Sequence, residues 1–77
     1  MVEGEEVLIR NWDEIASACL KEGDTYRDPL TRISFRTEMA SFCGQKTIVL
    51  RRDYPGYRLK IDNGKWNWAS PWLAQPW

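Results

Sequence analysis

The tetrapeptide Asp62-Asn63-Gly64-Lys65 constrains this chain more than any other feature, because it separates two segments in which apolar and polar residues alternate. Asn-Gly is favoured at the centre of a type I′ hairpin turn, where both central residues adopt positive φ. A two-residue Asn63-Gly64 turn at the centre of this tetrapeptide predicts a hairpin with strands near 57–61 and 65–68.

This predicted hairpin has one apolar and one polar face. Counting outward from the turn pairs Ile61 with Trp66 and Leu59 with Trp68. Successive side chains of a strand point to opposite sides, so both indoles, that of Trp66 included, are expected in the core. The outward face is expected to carry polar side chains: Arg58, Lys60, Lys65 and Asn67.

A third strand is predicted near 46–52, which makes the second half of the chain a β-meander. The segment Asp53-Tyr54-Pro55-Gly56 connects it to the hairpin. Proline presets φ at the second position of a turn, and glycine accepts the positive φ that a type II turn requires. A type II turn is therefore expected here.

The first half of the chain has helical rather than strand periodicity after a short β-prone segment near 6–9. Apolar residues recur at helical spacing over 12–20, and Asn11 precedes them as the expected side-chain cap. A second short helix is predicted near 35–43, where Gly44 marks its end.

Three further expectations concern the segments around these elements. Residues 21–33 show no sustained period and are predicted to form a long loop. Phe35, Met39 and Phe42 are expected in the core. Proline after Ser70 favours a short helical turn near the C-terminus, so Trp72 or Leu73 is expected to plug one end of the sheet.

Length and composition indicate one domain over residues 1–77, with a mainly β, α+β fold. Hydrophobic residues make up 43% of the chain, but no apolar run is long enough for a membrane span, so no membrane association is expected. The acidic segment 1–6 lacks the basic start and apolar run of a signal peptide, which favours a cytoplasmic protein. A monomer or a small homo-oligomer is expected.

Residues that carry catalysis are scarce in this sequence. There is no histidine, and Cys19 and Cys43 are the two cysteines. No glycine-rich phosphate loop is present, and neither cysteine lies beside a candidate base. The sequence therefore indicates a protein that is not an enzyme, that has no metal site and no cofactor, and whose thiols are free.

Binding of a protein partner is the function that we rank first. Trp77, Tyr26 and Trp12 are candidate exposed aromatics, and we expect them and the predicted loop 21–33 to form a patch for a partner. Exposed aromatic and arginine side chains are typical anchors of protein interfaces.

Binding of single-stranded nucleic acid is the alternative. Residues 46–65 contain six basic and two acidic residues, whereas residues 1–24 contain two basic and seven acidic residues. Basic strands flanked by aromatic rings are typical of single-strand binders, although the net charge of zero is not. The candidate binding residues for a partner or for nucleic acid are Arg51, Arg52, Tyr54, Tyr57, Arg58, Lys60, Lys65 and Trp77.

Three segments within residues 7–73 form a recognisable set of motifs: Val7-Leu8-Ile9-Arg10-Asn11-Trp12-Asp13-Glu14-Ile15, Phe35…Met39…Cys43-Gly44-Gln45-Lys46-Thr47 and Ile61-Asp62-Asn63-Gly64-Lys65-Trp66-Asn67-Trp68. Together they resemble a family of small proteins encoded by phages and prophages of Gram-positive and gut bacteria. In that family a strand and a helix precede a helix ending in Cys-Gly-Lys, and a hairpin closes with an acidic-Gly-Trp-x-Trp motif.

The resemblance implies a small, strongly bent SH3-like antiparallel barrel, distantly similar to the Mind-bomb type. Most members of the family have no assigned activity. A host or phage protein is the partner that the resemblance implies, in the host cytoplasm, and inhibition of a host defence system is one form of such binding. This chain departs from the family pattern at Arg51-Arg52 and in the tail 71–77.

Overall fold

Short antiparallel strands in two sheets, with a few short helices, form the fold of residues 1–76, the part of the chain that the computed structural model describes. The strands are β1 (Glu6–Ile9), β2 (Leu20–Glu22), β3 (Thr25–Arg27), β4 (Ser34–Phe35), β5 (Lys46–Asp53), β6 (Gly56–Leu59), β7 (Asn67–Trp68) and β8 (Leu73–Ala74). The α-helix α1 spans Trp12–Ala18, and 3-10 helices span Thr37–Phe42, Lys60–Asp62 and Ser70–Trp72. No helix within residues 1–76 is long and apolar enough to cross a membrane.

The larger sheet has the strand order β7-β6-β5-β1-β8, and all its neighbours are antiparallel. Alternation places Val7 and Ile9 of β1 in the core, as the strand pattern requires. The predicted strands near 6–9 and 46–52 are confirmed. The edge strands β7 and β8 do not pair with each other, so the sheet of residues 1–76 is not a closed barrel, and the predicted barrel is wrong in this respect.

The smaller sheet is β2-β3-β4; β2 and β3 lie in the first part of the segment 21–33, for which the sequence predicts a loop, and β4 follows that segment. Its strands have two or three residues, and β2 is exposed throughout. A strand this short and this polar has no alternation to detect, which is why the loop prediction was wrong. Positive φ at Gly23 forms the β2–β3 turn, and Tyr26 pairs with Phe35 across β3 and β4.

The segment between β3 and β4 is ordered by the carboxylate of Asp28, which is 2% exposed. Its Oδ2 accepts hydrogen bonds from the backbone N–H and the hydroxyl of Thr31, both at 2.8 Å. The backbone N–H of Arg32 donates to the carbonyl of Asp28. This Asx-type turn returns the chain to the sheet.

The two predicted helices are shorter than expected. Helix α1 ends at Ala18, because Leu20 already belongs to β2, and the side chain of Asn11 makes no capping hydrogen bond. The predicted helix near 35–43 is the 3-10 helix Thr37–Phe42, which follows Phe35 in β4. The predicted cap at Asn11 and the predicted start at residue 35 are therefore wrong.

Aromatic rings fill the core, as expected. Trp68 and Trp72 are 0% exposed, and their rings meet edge to face with centroids 6.4 Å apart. Phe35 lies edge-on to Trp72 at 5.2 Å. Met39 is fully buried, and Leu73 is 4% exposed. The predicted short turn near the C-terminus is confirmed as the 3-10 helix Ser70–Trp72, and Leu73 follows it in the edge strand β8.

The Asn-Gly reversal is not a two-residue turn. Both residues have positive φ, 59° at Asn63 and 75° at Gly64, but a 3-10 helix precedes them. Tyr57, not Leu59, is the cross-strand partner of Trp68. This shift by two residues keeps Trp68 on the core face and leaves Trp66 half-buried in the connection, so the predicted register is wrong.

The connection between β5 and β6 also differs from the prediction. The Tyr54–Pro55 peptide bond is cis, and Gly56 is the first residue of β6, paired with Asp53. Gly56 has no positive φ, so the predicted type II turn is wrong. Glycine is required there by a close approach: a Cβ would lie 2.5 Å from the carbonyl oxygen of Trp68.

Candidate functional site

Three aromatic rings from three different elements line one pocket of about 240 Å³. The rings of Trp12 and Tyr26 meet edge to face with centroids 4.8 Å apart, and Phe35 lies 5.1 Å from Trp12. We call this cavity the aromatic pocket; its lining residues are Trp12, Asp24, Tyr26, Phe35, Thr37 and Ala40.

Local structure explains why these rings converge. Trp12 opens α1, whose buried residue Ile15 holds the helix against the core. Tyr26 is fixed opposite Phe35 by the β3–β4 pairing, so the two side chains lie on the same face of the small sheet. Trp12 and Tyr26 are half-buried, whereas Phe35 is 5% exposed and forms the floor.

The polar part of the aromatic pocket is acidic. Asp24 follows Gly23 in the β2–β3 turn and is exposed. Its carboxylate forms no ion pair with any basic group among residues 1–76. Lys21, the cross-strand partner of Tyr26, places its Nζ 5.9 Å from the centroid of the tyrosine ring without lining the pocket.

A second cavity, of about 270 Å³, lies on the other side of β4 and is basic. The Nζ of Lys65 lies 4.6 Å above the ring of Trp66, and three cationic side chains border the space. We call it the basic cleft; its lining residues are Ile33, Ser34, Arg36, Arg58, Lys65, Trp66 and Asn67.

Arg58 is partly committed to holding the hairpin together. Its Nε donates to Oδ2 of Asp53 at 2.7 Å, and its Nη1 donates to the carbonyl of Lys65 at 3.0 Å. Asn67 donates from Nδ2 to the carbonyl of Asp53 at 2.9 Å. Arg36 and Lys65 are exposed and are the cations of the cleft that remain available to a ligand.

The candidate residues from the sequence do not form one surface. Arg51 and Arg58 are cross-strand partners on one face of the β5–β6 hairpin, whereas Arg52 and Tyr57 are partners on the other. The guanidinium of Arg52 lies 5.7 Å from the ring of Tyr54 and 6.0 Å from that of Tyr57. Lys60 is exposed in its 3-10 helix, and Trp77 lies outside the described residues.

Both cysteines are free thiols in this structure. Burial raises the pKa of Cys19 and of Cys43 above the ordinary value of a thiol. The charge of Asp28 adds to the rise in the pKa of Cys19. A thiol with a raised pKa stays protonated near neutral pH and is a poor nucleophile.

Several residues of the two cavities were not identified as site residues from the sequence. Asp24 and Thr37 come from segments predicted to be loop and helix, and Trp66 was assigned to the core. One signal was available: Thr25-Tyr26-Arg27 after Gly23 joins β-prone residues to a turn residue, which favours a hairpin there.

Within the part of the chain that the structure covers, no group of three or more histidine, cysteine or acidic side chains could hold a metal ion. Comparisons with protein-family models, with curated proteins and with solved structures found no match for this chain. The resemblance to phage-encoded SH3-like proteins therefore stays a prediction from the sequence motifs.

Proposed function

We propose that this chain is a non-enzymatic interaction domain that binds a protein partner through the aromatic pocket. The observation that carries the proposal is the convergence of Trp12, Tyr26 and Phe35 on one cavity, with two of the rings half-exposed. Aromatic side chains in partly desolvated pockets dominate the binding energy of protein interfaces. The volume of about 240 Å³ is smaller than typical small-molecule pockets and suits a single inserted side chain.

The sequence resemblance adds the class of partner to this proposal. A host or phage protein is the partner, met in the cytoplasm of the host, and a component of host defence is one such protein. The SH3-like relationship belongs to the same proposal. The five-stranded antiparallel sheet, in which the β5-β6-β7 meander joins β1 and β8, supports it.

Capture from a lysate of the host bacterium tests the proposal when two tyrosines are compared. Tyr26→Ser removes a wall of the aromatic pocket, whereas Tyr54→Ser removes a ring that is 81% exposed and lies outside it. We expect a protein retained by the wild type and by Tyr54→Ser to be lost with Tyr26→Ser. Equal retention by both variants, with Tyr26→Ser shown to be folded by circular dichroism, contradicts the proposal.

Binding of single-stranded nucleic acid is the second candidate function, and the basic cleft favours it. Exposed Arg36 and Lys65 border the same cavity as the half-buried ring of Trp66. Single-strand binders combine cations that contact phosphates with aromatic rings on which bases stack.

A titration with a fluorescent oligonucleotide at low and at moderate salt tests this second function. Binding that weakens with salt is expected, and Lys65→Gln should lower both the affinity and the salt dependence. Lys46→Gln is the matched control, because Lys46 is exposed at the start of β5 and does not line the cleft. Absence of binding at low salt, or equal effects of the two substitutions, excludes the cleft.

A further inference from the structure

We infer that the aromatic pocket takes a basic side chain of the protein partner, an organic cation held between aromatic rings and one carboxylate. This inference rests on the proposed function and adds to it the chemistry of the group that enters the pocket.

The walls of the pocket are the first argument. Trp12, Tyr26 and Phe35 supply aromatic surface, and the face of an aromatic ring carries negative charge density that attracts cations. Tryptophan and tyrosine are among the strongest of these partners. A lysine or arginine side chain also has an aliphatic stem, which gains by burial against the same rings.

Charge complementarity is the second argument. Asp24 is the one charged residue among the six that line the pocket, and all six lie in the described part of the chain. Its carboxylate forms no ion pair within residues 1–76 and is free to meet a cation from outside. An anionic side chain would face this carboxylate without a compensating cation in the lining, so the pocket disfavours acidic partners.

The protein itself shows the interaction on one of these rings. The ammonium of Lys21 lies 5.9 Å from the ring centroid of Tyr26, within the distance at which cation–π attraction operates. Lys21 does not line the pocket, so its ammonium leaves the cavity free and lies near the Tyr26 ring from outside it. An external cation and Lys21 therefore repel each other through their like charges.

This arrangement makes two substitutions act in opposite directions. Asp24→Asn removes the attracting charge and should weaken binding of a cation by about fivefold, the size of a partly exposed charge contact. Lys21→Gln removes a neighbouring like charge and should tighten binding by about twofold. Glu6→Gln is the matched control, because Glu6 is an exposed acid on β1 that does not line the pocket.

The test is a titration of the full chain followed by two-dimensional 1H–15N NMR. The probes are n-butylammonium and N-ethylguanidinium, which represent the ends of lysine and arginine, and 1-butanol as an uncharged counterpart. We expect a cation to shift the indole resonance of Trp12 and the backbone resonances of Asp24 and Tyr26. That cation should bind at least about fivefold more tightly than 1-butanol.

The results separate the inference from the proposed function. If 1-butanol binds as tightly as both cations, or if neither cation shifts the pocket resonances, the inference is wrong. Loss of the captured partner on Tyr26→Ser would then still support an interaction site that takes an uncharged side chain. If capture is also insensitive to Tyr26→Ser, both proposals fail. A preference for one of the two cations assigns the partner side chain to lysine or to arginine.

Discussion

The indole Nε1 of Trp68 donates a hydrogen bond to Oδ2 of Asp62 at 2.9 Å. The same carboxylate accepts hydrogen bonds from the backbone N–H groups of Gly64, Lys65 and Trp66. Trp68 is fully buried, so its N–H requires a partner inside the protein. One half-buried carboxylate at the end of the 3-10 helix Lys60–Asp62 thus satisfies a core indole and fixes the path of the chain from β6 to β7.

Asp62→Ala is expected to destabilise the domain by about 2–3 kcal/mol, because it removes charge-assisted hydrogen bonds and leaves a buried N–H without a partner. Urea unfolding followed by circular dichroism measures the loss. Asp13→Ala is the control, since Asp13 is an exposed acid in the first turn of α1. Equal unfolding midpoints for the two variants would contradict the prediction, because the Asp62 carboxylate would then stabilise the domain no more than an exposed acid does.

Trp66→Ala and Trp68→Ala are expected to differ in cost. Trp68 is 0% exposed, so its truncation should cost about 3–5 kcal/mol, enough to unfold a small domain. Trp66 is half-buried beside Lys65 and Phe42, so its truncation should cost roughly half as much and leave the domain folded. Near-ultraviolet circular dichroism distinguishes the two outcomes. An unfolded Trp66→Ala chain would contradict this expectation, because it would show that Trp66 is as important to the core as Trp68.

The contrast between these two tryptophans shows how far the sequence determines the hairpin. Alternation correctly assigns Trp68 to the inward face, and Asn-Gly correctly predicts positive φ at both turn residues. The register depends in addition on the side chain of Asp62, which draws three backbone N–H groups into a longer connection. These hydrogen bonds are local in the sequence, but the alternation of apolar and polar residues does not predict them.

Gly56→Ala is expected to cost more than Gly23→Ala, for different physical reasons. A Cβ at Gly56 would lie 2.5 Å from the carbonyl oxygen of Trp68 and 2.8 Å from Cδ1 of Ile33, so β6 must shift, at about 1–3 kcal/mol. A Cβ at Gly23 meets nothing within 4 Å, and only the positive φ of 62° opposes it, at about 1 kcal/mol. Thermal unfolding ranks the two. A less stable Gly23→Ala variant would contradict the close approach at Gly56.

The aromatic pocket was only partly predictable from the sequence. The sequence indicates Trp12 and Tyr26 as candidate exposed aromatics, but nothing local to either residue predicts that they touch. Their contact depends on the small sheet β2-β3-β4, whose strands are too short to leave a periodic pattern. Asp24 enters the pocket through the same sheet, because the β2–β3 turn places it there.

The thiols of Cys19 and Cys43 are expected to titrate at higher pH in the folded protein than in the unfolded chain, because burial raises both pKa values. A folded-state pKa above the unfolded one means that the native protein holds these protons more tightly. The contribution to stability is therefore complete below the unfolded thiol pKa of about 8.5 and is lost as the pH rises through the folded pKa.

Alkylation by iodoacetamide between pH 7 and pH 10 measures this shift, with each cysteine followed separately by mass spectrometry of its peptide. The pH of half-maximal rate should be higher for both thiols in buffer than in 8 M urea. Cys43→Ser should also reduce the alkaline decline in the unfolding midpoint, because serine does not ionise in this range. Half-maximal rates at equal or lower pH in the folded protein would place the thiols in polar surroundings, against the half-buried positions that the structure gives them.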